Sequence, residues 1–389
     1  MRAEMPLGKR RSDVTQPTVF AYEFPGPYEA GESRQYQLLK QMAANRRVYF
    51  ISTIGRSTRS PFPRFSTTRT SGDVVLITRR TPRGFDHLAR TIPVLARMLN
   101  VTGFLWFLRR HRIRSAVVAT TDFTNLWSAP LLGIRWGIDF IDPPFLGTFA
   151  DMRAAVRSAA PHVSFLTATA SSLLEVAVEA GVTSAVHVPN ACSGESLRLA
   201  ESTDRTETEH PVALYVGTID WRFDLPLLGE LAGSLPDFRF EIAGRINGSL
   251  APATEELAAR HSNLRFLGAV SEEDKATLLA GAVAGLVPFL RNEVGDAINP
   301  TKVYEYAAWG LPVVASATRA CVELAPIVTV GRSSDELVVQ LREMQHRPRP
   351  DPAAVEFARA NTWADRALVF NELVDRAVTE QRSQRGAIG

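Results

Sequence analysis

Lys302 and Glu305 are the residues whose types and spacing most directly suggest chemistry, three apart in NPTKVYEYAAWGLPVVAS, residues 299–316. Asn299 reads as a helix N-cap, Pro300 as the first helical position, Gly310 and Pro312 as the stop, and PVVAS as a buried strand. Lys302 then falls in the first turn, where backbone dipoles already concentrate positive charge. A cation there calls for an anion, and an ammonium beside unpaired first-turn amides would make a pocket for a diphosphate. Glu305, one turn deeper, could accept hydrogen bonds from two neighbouring hydroxyls, a pairing that a ribose offers. A solvated Lys–Glu pair at i,i+3, contributing roughly a few tenths of a kcal/mol, fits the same spacing.

The elements around this pair say where it must sit. At the helical period, Thr301, Lys302, Glu305 and Trp309 form one stripe, while Val303, Tyr304, Tyr306, Ala307 and Ala308 cover the rest. A mostly buried helix with one polar seam should turn that seam to a cleft. The preceding LRNEVGDAI, 290–298, is long for a strand-to-helix loop and lies on the edge where open parallel sheets bind ligands. Strand-like runs recur through both halves: TVFAYEF (18–24), RVYFIS (47–52), DVVLIT (73–78), SAVVAT (115–120), GIDFID (137–142), HVSFLTAT (162–169) and AVHVPN (185–190), then PVALYVGT (211–218), FRFEIAG (238–244), NLRFLG (263–268), GLVPF (285–289), PVVAS (312–316) and IVTVG (327–331). Helical stretches such as 31–45 and 171–181 lie between them. The pattern predicts an α/β chain of two Rossmann-like parallel-sheet domains. The expected division is a basic tail 1–13, a first domain 14–199, a polar linker AESTDRTETEH at 200–210, a second domain 211–350, and a helical segment 351–389 that packs across both domains or caps the second.

Composition narrows the function classes. The chain has 389 residues, 45% hydrophobic and 22% charged, with a formal net charge of +3, which speaks against a nucleic-acid partner. Cys192 and Cys321 are the two cysteines, without metal-type spacing, so neither a zinc site nor a disulfide framework is expected, and a reducing compartment is. The charged N-terminus does not read as a signal peptide. The longest apolar run, 276–290, is shorter than the ~18 residues of a spanning helix and is broken by Gly281, Gly285 and Pro288. Neither half carries a G-x-G-x-x-G or P-loop pattern, which leaves helix N-termini at a sheet edge as the route to phosphates.

The motif at 299–316 resembles the donor-site motif of the group 1 (family four) glycosyltransferases of the GT-B fold, especially the teichuronic-acid and exopolysaccharide type. Further pieces fall in the same order: residues 31–52, DFIDPP (139–144), 167–191, YVGTIDWRFDLPLLGELAGSLPDFRFEIAGR (215–245), 263–289 and NTWADRA (361–367). The resemblance implies a nucleoside-diphosphate sugar held by the second domain, an acceptor held by the first, and no cofactor or metal. By position, Glu305 would hold the ribose and Lys302 the diphosphate. Thr301 and Asn299 flank that pocket at the helix start, Gly217 closes the YVG strand, and backbone near Gly268 to Val270 would hold the base. Arg222 or Arg245 would supply a second cation for the departing diphosphate, or else be solvated turn residues. The position eight before Glu305, a glutamate in many members, is Ala297, and the usual arginine and lysine positions carry Thr218 and Phe223.

In the first domain, DFIDPP brings Asp139 and Asp142 to a strand end, where Asp139 is expected to contact the acceptor. Asp142 would orient or deprotonate an acceptor hydroxyl, or form a turn before the two prolines. The loop at 24–33, with Gly31, would let backbone approach an acceptor, or is a plain strand-to-helix turn. His111, His162 and His187 read as structural. Residues 88–114 mix apolar and aromatic side chains with a basic end, as a helix resting on anionic lipid does, and equally as an amphipathic helix packed on its sheet. The leading expectation is a cytoplasmic, metal-independent glycosyltransferase, peripheral on the inner face of the membrane if that helix binds lipid, acting on a glycan or lipid-linked acceptor in cell-envelope synthesis. The alternatives are a non-hydrolysing sugar-nucleotide epimerase and a non-catalytic glycan- or nucleotide-binding relative.

Overall fold

In the computed structural model, residues 19–24, 33–58, 60, 62–71, 73–110, 116–120, 135–141 and 149–386 are described. The apolar runs form two sheets. The first is built from β1 (Val19–Phe24), β2 (Val48–Thr58), β3 (Arg64–Ser71), β4 (Val74–Pro82), β5 (Ala116–Thr120), β6 (Arg135–Phe140), β7 (Phe165–Ala168) and β8 (Ala185–His187), in the order β3-β4-β2-β1-β5-β6-β7-β8. Its neighbours pair in parallel except β3, which pairs antiparallel to β4 at the sheet edge. β3 was not among the expected strands, because RFSTTRTS lacks an apolar face; edge strands tolerate such polar sequences.

The second sheet comprises β9 (Val212–Val216), β10 (Arg239–Ala243), β11 (Leu264–Gly268), β12 (Ala284–Val287), β13 (Val313–Ser316) and β14 (Val328–Gly331), ordered β11-β10-β9-β12-β13-β14 and wholly parallel. This is the doubly wound order whose direction reverses between its first and fourth strands, here β9 and β12. Every residue of β12 and β13 is buried, as expected of short apolar strands covered by helices on both faces.

The helix Gly194–Ser202 packs on the second core through Leu197, Leu199 and Ala200, and runs into the first residues of the segment expected as linker. The last helix, Trp363–Gly386, returns to the first sheet, where Phe370, Leu373 and Val374 pack with Phe20, Leu38 and Phe50. Of the two placements open from sequence, the chain thus takes the one that crosses back. The two crossings are joined: Cys192 N–H donates to Asn361 O at 3.0 Å and Trp363 N–H to Cys192 O at 3.1 Å.

Candidate functional site

The second sheet opens where its strand order reverses. β9 and β12 pair only through Ala213 with Ala284 and Leu214 with Gly285 and then separate. The Tyr306 hydroxyl fills the gap, accepting from Val216 N–H at 2.9 Å and donating to Leu214 O at 3.3 Å. Gly285 makes room for it, since a Cβ there would lie 2.3 Å from the Tyr306 ring. The helix Thr301–Ala308 is thereby fixed with its first turn at the mouth of this crevice, where such sheets bind ligands.

Lys302 stands in that turn. Pro300, not Asn299, occupies the cap position; the expected side-chain cap does not form, because Asn299 is used elsewhere. Its Oδ1 accepts Asn190 N–H at 2.9 Å and its carbonyl accepts Asn190 Nδ2 at 2.7 Å, which ties the donor-side helix to the first half of the chain. With no cap side chain, and with Val303 N–H donating to Pro300 O at 3.1 Å, the amides of Thr301 and Lys302 are left for another acceptor. Lys302 Nζ lies 4.8 Å from the ring centroids of both Tyr215 and Phe289, and no carboxylate of the described residues pairs with it. Gly217, at φ 146°, passes so close that a Cβ would meet Lys302 Cε at 3.0 Å and Nζ at 3.2 Å. Burial and the nearby Arg222 guanidinium push the Lys302 pKa down to about 8, against the pull of Asp220 and Glu305. A desolvated, unpaired ammonium is a poor structural element and a good anion ligand.

Arg222 is held beside it. Its guanidinium binds Asp220 through Nε at 2.9 and 3.1 Å and Nη2 at 2.6 Å, and lies over the Trp221 ring at 5.8 Å. Burial raises the Asp220 pKa, but the Arg222 bonds outweigh it and hold the carboxyl below its usual range. Arg245, the other candidate cation, is exposed on the loop after β10. Thr301 begins the helix and is partly exposed.

Glu305 is 6% exposed, which removes the solvated-pair alternative. Its ion-pair partner is Lys275, with Nζ 2.9 Å from Oε1. Lys275 also reaches Glu272 at 2.7 Å. Lys275 belongs to the helix Glu272–Gly281, capped by Ser271, and so brings the loop holding Gly268 and Val270 towards Glu305. Gly268 has φ 68°, and its carbonyl accepts Gly244 N–H at 2.7 Å. Ala297, at the position of the family's second glutamate, is 1% exposed and packs with the first sheet's core. Phe223 sets its ring edge-on to Tyr215 at 4.8 Å, beneath the lysine.

On the first sheet, Asp139 is corrected from acceptor contact to buried anchor. It is fully buried and accepts from Tyr22 Oη at 2.7 Å, Thr167 Oγ1 at 2.8 Å, and Arg34 at 2.9 and 3.0 Å, so its oxygens are already used. Arg34 continues to Asn190 Oδ1 and Pro189 O, both at 3.3 Å. A hydrogen-bonded line therefore runs from Asp139 through Arg34, Asn190 and Asn299 to the helix bearing Lys302. Asp142, Gly31 and His111 lie outside the described residues. His187 has a ring nitrogen 3.2 Å from Thr169 O, in keeping with a structural role.

Sequence reasoning missed Lys275, Asp220, Asn190 and Arg34. Arg34 and Asn190 carry no local pattern, since their partners are more than a hundred residues away. Among the described residues, no cluster of three or more His, Cys, Asp or Glu side chains could hold a metal ion, and no helix is long and apolar enough to cross a membrane.

Residues 210–345 match the family model described as glycosyl transferases group 1. No curated protein matches the sequence. Among solved structures, sucrose-phosphate synthase from Thermosynechococcus elongatus superposes with a TM-score of 0.70 at 15% identity, over 93% of this chain and 100% of that one. The UDP-forming α,α-trehalose-phosphate synthase from Burkholderia xenovorans gives 0.69 at 14%, over 92% and 100%. The Anabaena protein HepE, solved with UDP and glucose, gives 0.66 at 13%, over 92% and 99%. At these identities the structural likeness shows the fold, which is GT-B, and the match to a glycosyltransferase family model covers the second sheet with Lys302 and Glu305.

Proposed function

We propose that the chain transfers a sugar from a nucleoside-diphosphate sugar to a hydroxyl of a glycan or lipid-linked acceptor. The observation that carries this reading is Lys302, a partly buried ammonium over two aromatic rings with no carboxylate partner among the described residues, at the mouth of the crevice on the same helix as the buried Glu305. A diphosphate next to the first pairs its charge, and a ribose on the second adds hydroxyl donors to a carboxylate that Lys275 already holds in place. Charge develops on the diphosphate as the glycosidic bond to the donor breaks. Lys302, Arg222 and the first-turn amides, already fixed in place, stabilise that charge without reorganising. The base lies against the loop of Gly268 and Val270, with Arg245 at the rim, and Asp142 orients the acceptor hydroxyl. The printed names of the similar structures, which mention UDP, make UDP-sugars the first donors to try.

The acceptor side of the reading rests on the helix Pro93–Arg110. It exposes Val94, Leu95, Met98 and Trp106 and ends in Arg109 and Arg110, a surface suited to an anionic bilayer and a lipid-linked acceptor in cell-envelope synthesis. Incubation with UDP-glucose and other donors, with free sugars, glycans and lipid-linked sugars as acceptors, should release nucleoside diphosphate together with a heavier acceptor seen by mass spectrometry. Donor turnover with no acceptor product in any class would count against transfer. Flotation with anionic vesicles tests the membrane contact, and failure to float at low salt would remove it.

A further inference from the structure

A second cleft opens on the same edge of the second sheet, beyond β13 and β14. Its volume is about 240 Å³, below the ~300 Å³ at which pockets for drug-sized ligands begin, so its occupant is small. Ser316 at the end of β13 lines it, is 2% exposed, and has a hydroxyl with no hydrogen-bond partner. A buried hydroxyl is seldom left unpaired unless something outside the chain pairs it. Also lining the cleft are Arg291 and Arg332, both exposed and in no ion pair of the described residues, and Ser334 at the start of the eleven-residue helix Ser334–Met344. The first turn of that helix carries Asp335 and Glu336; Ser333 Oγ caps it by accepting Glu336 N–H at 3.3 Å, and the Glu336 carboxylate is turned to the backbone N–H of Arg332 at 2.8 Å. Across the cleft stand Asp224, whose Oδ1 caps its helix by accepting Leu227 N–H at 3.0 Å, and Glu230, which is exposed.

The two walls differ in chemistry. One offers two guanidinium groups and two serine hydroxyls, a set that matches a tetrahedral dianion. The other offers carboxylate oxygens, which accept from hydroxyls and repel phosphate. We propose that this cleft binds a small phosphorylated, hydroxyl-bearing molecule of monosaccharide-phosphate size, its phosphoryl group at Arg291, Arg332 and Ser316 and its hydroxyls towards Asp224 and Glu230. The cleft is separate from the donor crevice. Between them run residues 222–224 and 288–290, joined by Asp224 N–H to Pro288 O at 2.8 Å and Leu290 N–H to Arg222 O at 2.9 Å. Arg222 and Phe289 serve the Lys302 side of this divider, and Asp224 and Arg291 line the other.

Calorimetric titration with glucose 6-phosphate, inorganic phosphate and glucose tests the proposal on the full chain, with and without saturating UDP. Glucose 6-phosphate should bind in both conditions, inorganic phosphate should compete with it, and glucose alone should not bind. Arg291→Ala with Arg332→Ala should weaken binding at least tenfold; both residues are exposed, so the fold is kept. Ser316→Ala should weaken it severalfold, and Lys302→Ala should leave it unchanged. Absence of binding, displacement by UDP, or affinity untouched by the arginine and serine variants would each overturn the proposal. The outcome is independent of the donor reading, which Lys302→Ala tests through UDP.

Discussion

Raising the pH should weaken nucleoside-diphosphate binding through Lys302. Burial and Arg222 bring its pKa to about 8 in the free protein, while a diphosphate next to Nζ restores it towards the ordinary lysine range. The protonated fraction of the free protein falls from about nine-tenths at pH 7 to about one-tenth at pH 9, so the UDP dissociation constant should rise about tenfold, or ~1.4 kcal/mol. The terminal phosphate of UDP, whose second pKa is about 6, is already mostly ionised at pH 7. Calorimetry in buffers of different ionisation enthalpy reads both quantities: affinity should fall above pH 8, and binding near pH 9 should take up close to one proton. Lys302→Arg should flatten the profile, because a guanidinium keeps its proton throughout. The sign for stability runs the other way. Between pH 8 and the usual lysine pKa the unfolded chain holds a proton that the folded chain has lost, so the free protein gains stability as pH rises through that window. Lys302→Met should stabilise it at neutral pH. A flat UDP profile in the wild type, or an identical slope in Lys302→Arg, would refute the assignment.

Arg34→Met should cost about 3–5 kcal/mol in chemical denaturation, because it strands the fully buried Asp139 carboxylate; a loss below about 1 kcal/mol would show that Tyr22 and Thr167 suffice. Gly217→Ala places a Cβ 3.0 Å from Lys302 Cε at a φ that alanine resists, so UDP affinity should drop about tenfold with a loss of about 1–3 kcal/mol in stability. Unchanged UDP binding in a folded Gly217→Ala protein would mean that Lys302 does not work from this position.

Much of the second half was legible because its signals are local. Thirteen strands read from apolar runs have counterparts in the two sheets, and the Lys302 helix is buried with its lysine at a sheet edge, as its single polar seam implied. Local reading failed where partners are distant. Asn299 has the composition of an N-cap, yet its side chain pairs with Asn190, 109 residues away. Asp139 looked like a strand-end acid open to substrate, yet Arg34, 105 residues earlier, occupies it. The i,i+3 spacing also allows Glu305 a solvated pair with Lys302 on its own helix; the cation that reaches it, Lys275, stands on another. β3 escaped because an edge strand needs no apolar face.

The central claim is that Lys302 and Glu305 together hold a nucleoside diphosphate, and titration of UDP into the wild type, Lys302→Ala and Glu305→Ala tests it most directly. The account predicts binding by the wild type and a loss of about 10–100-fold in each variant, ~1.4–2.8 kcal/mol apiece. No binding of UDP, GDP or ADP by the wild type, or equal affinity in all three proteins, would contradict it.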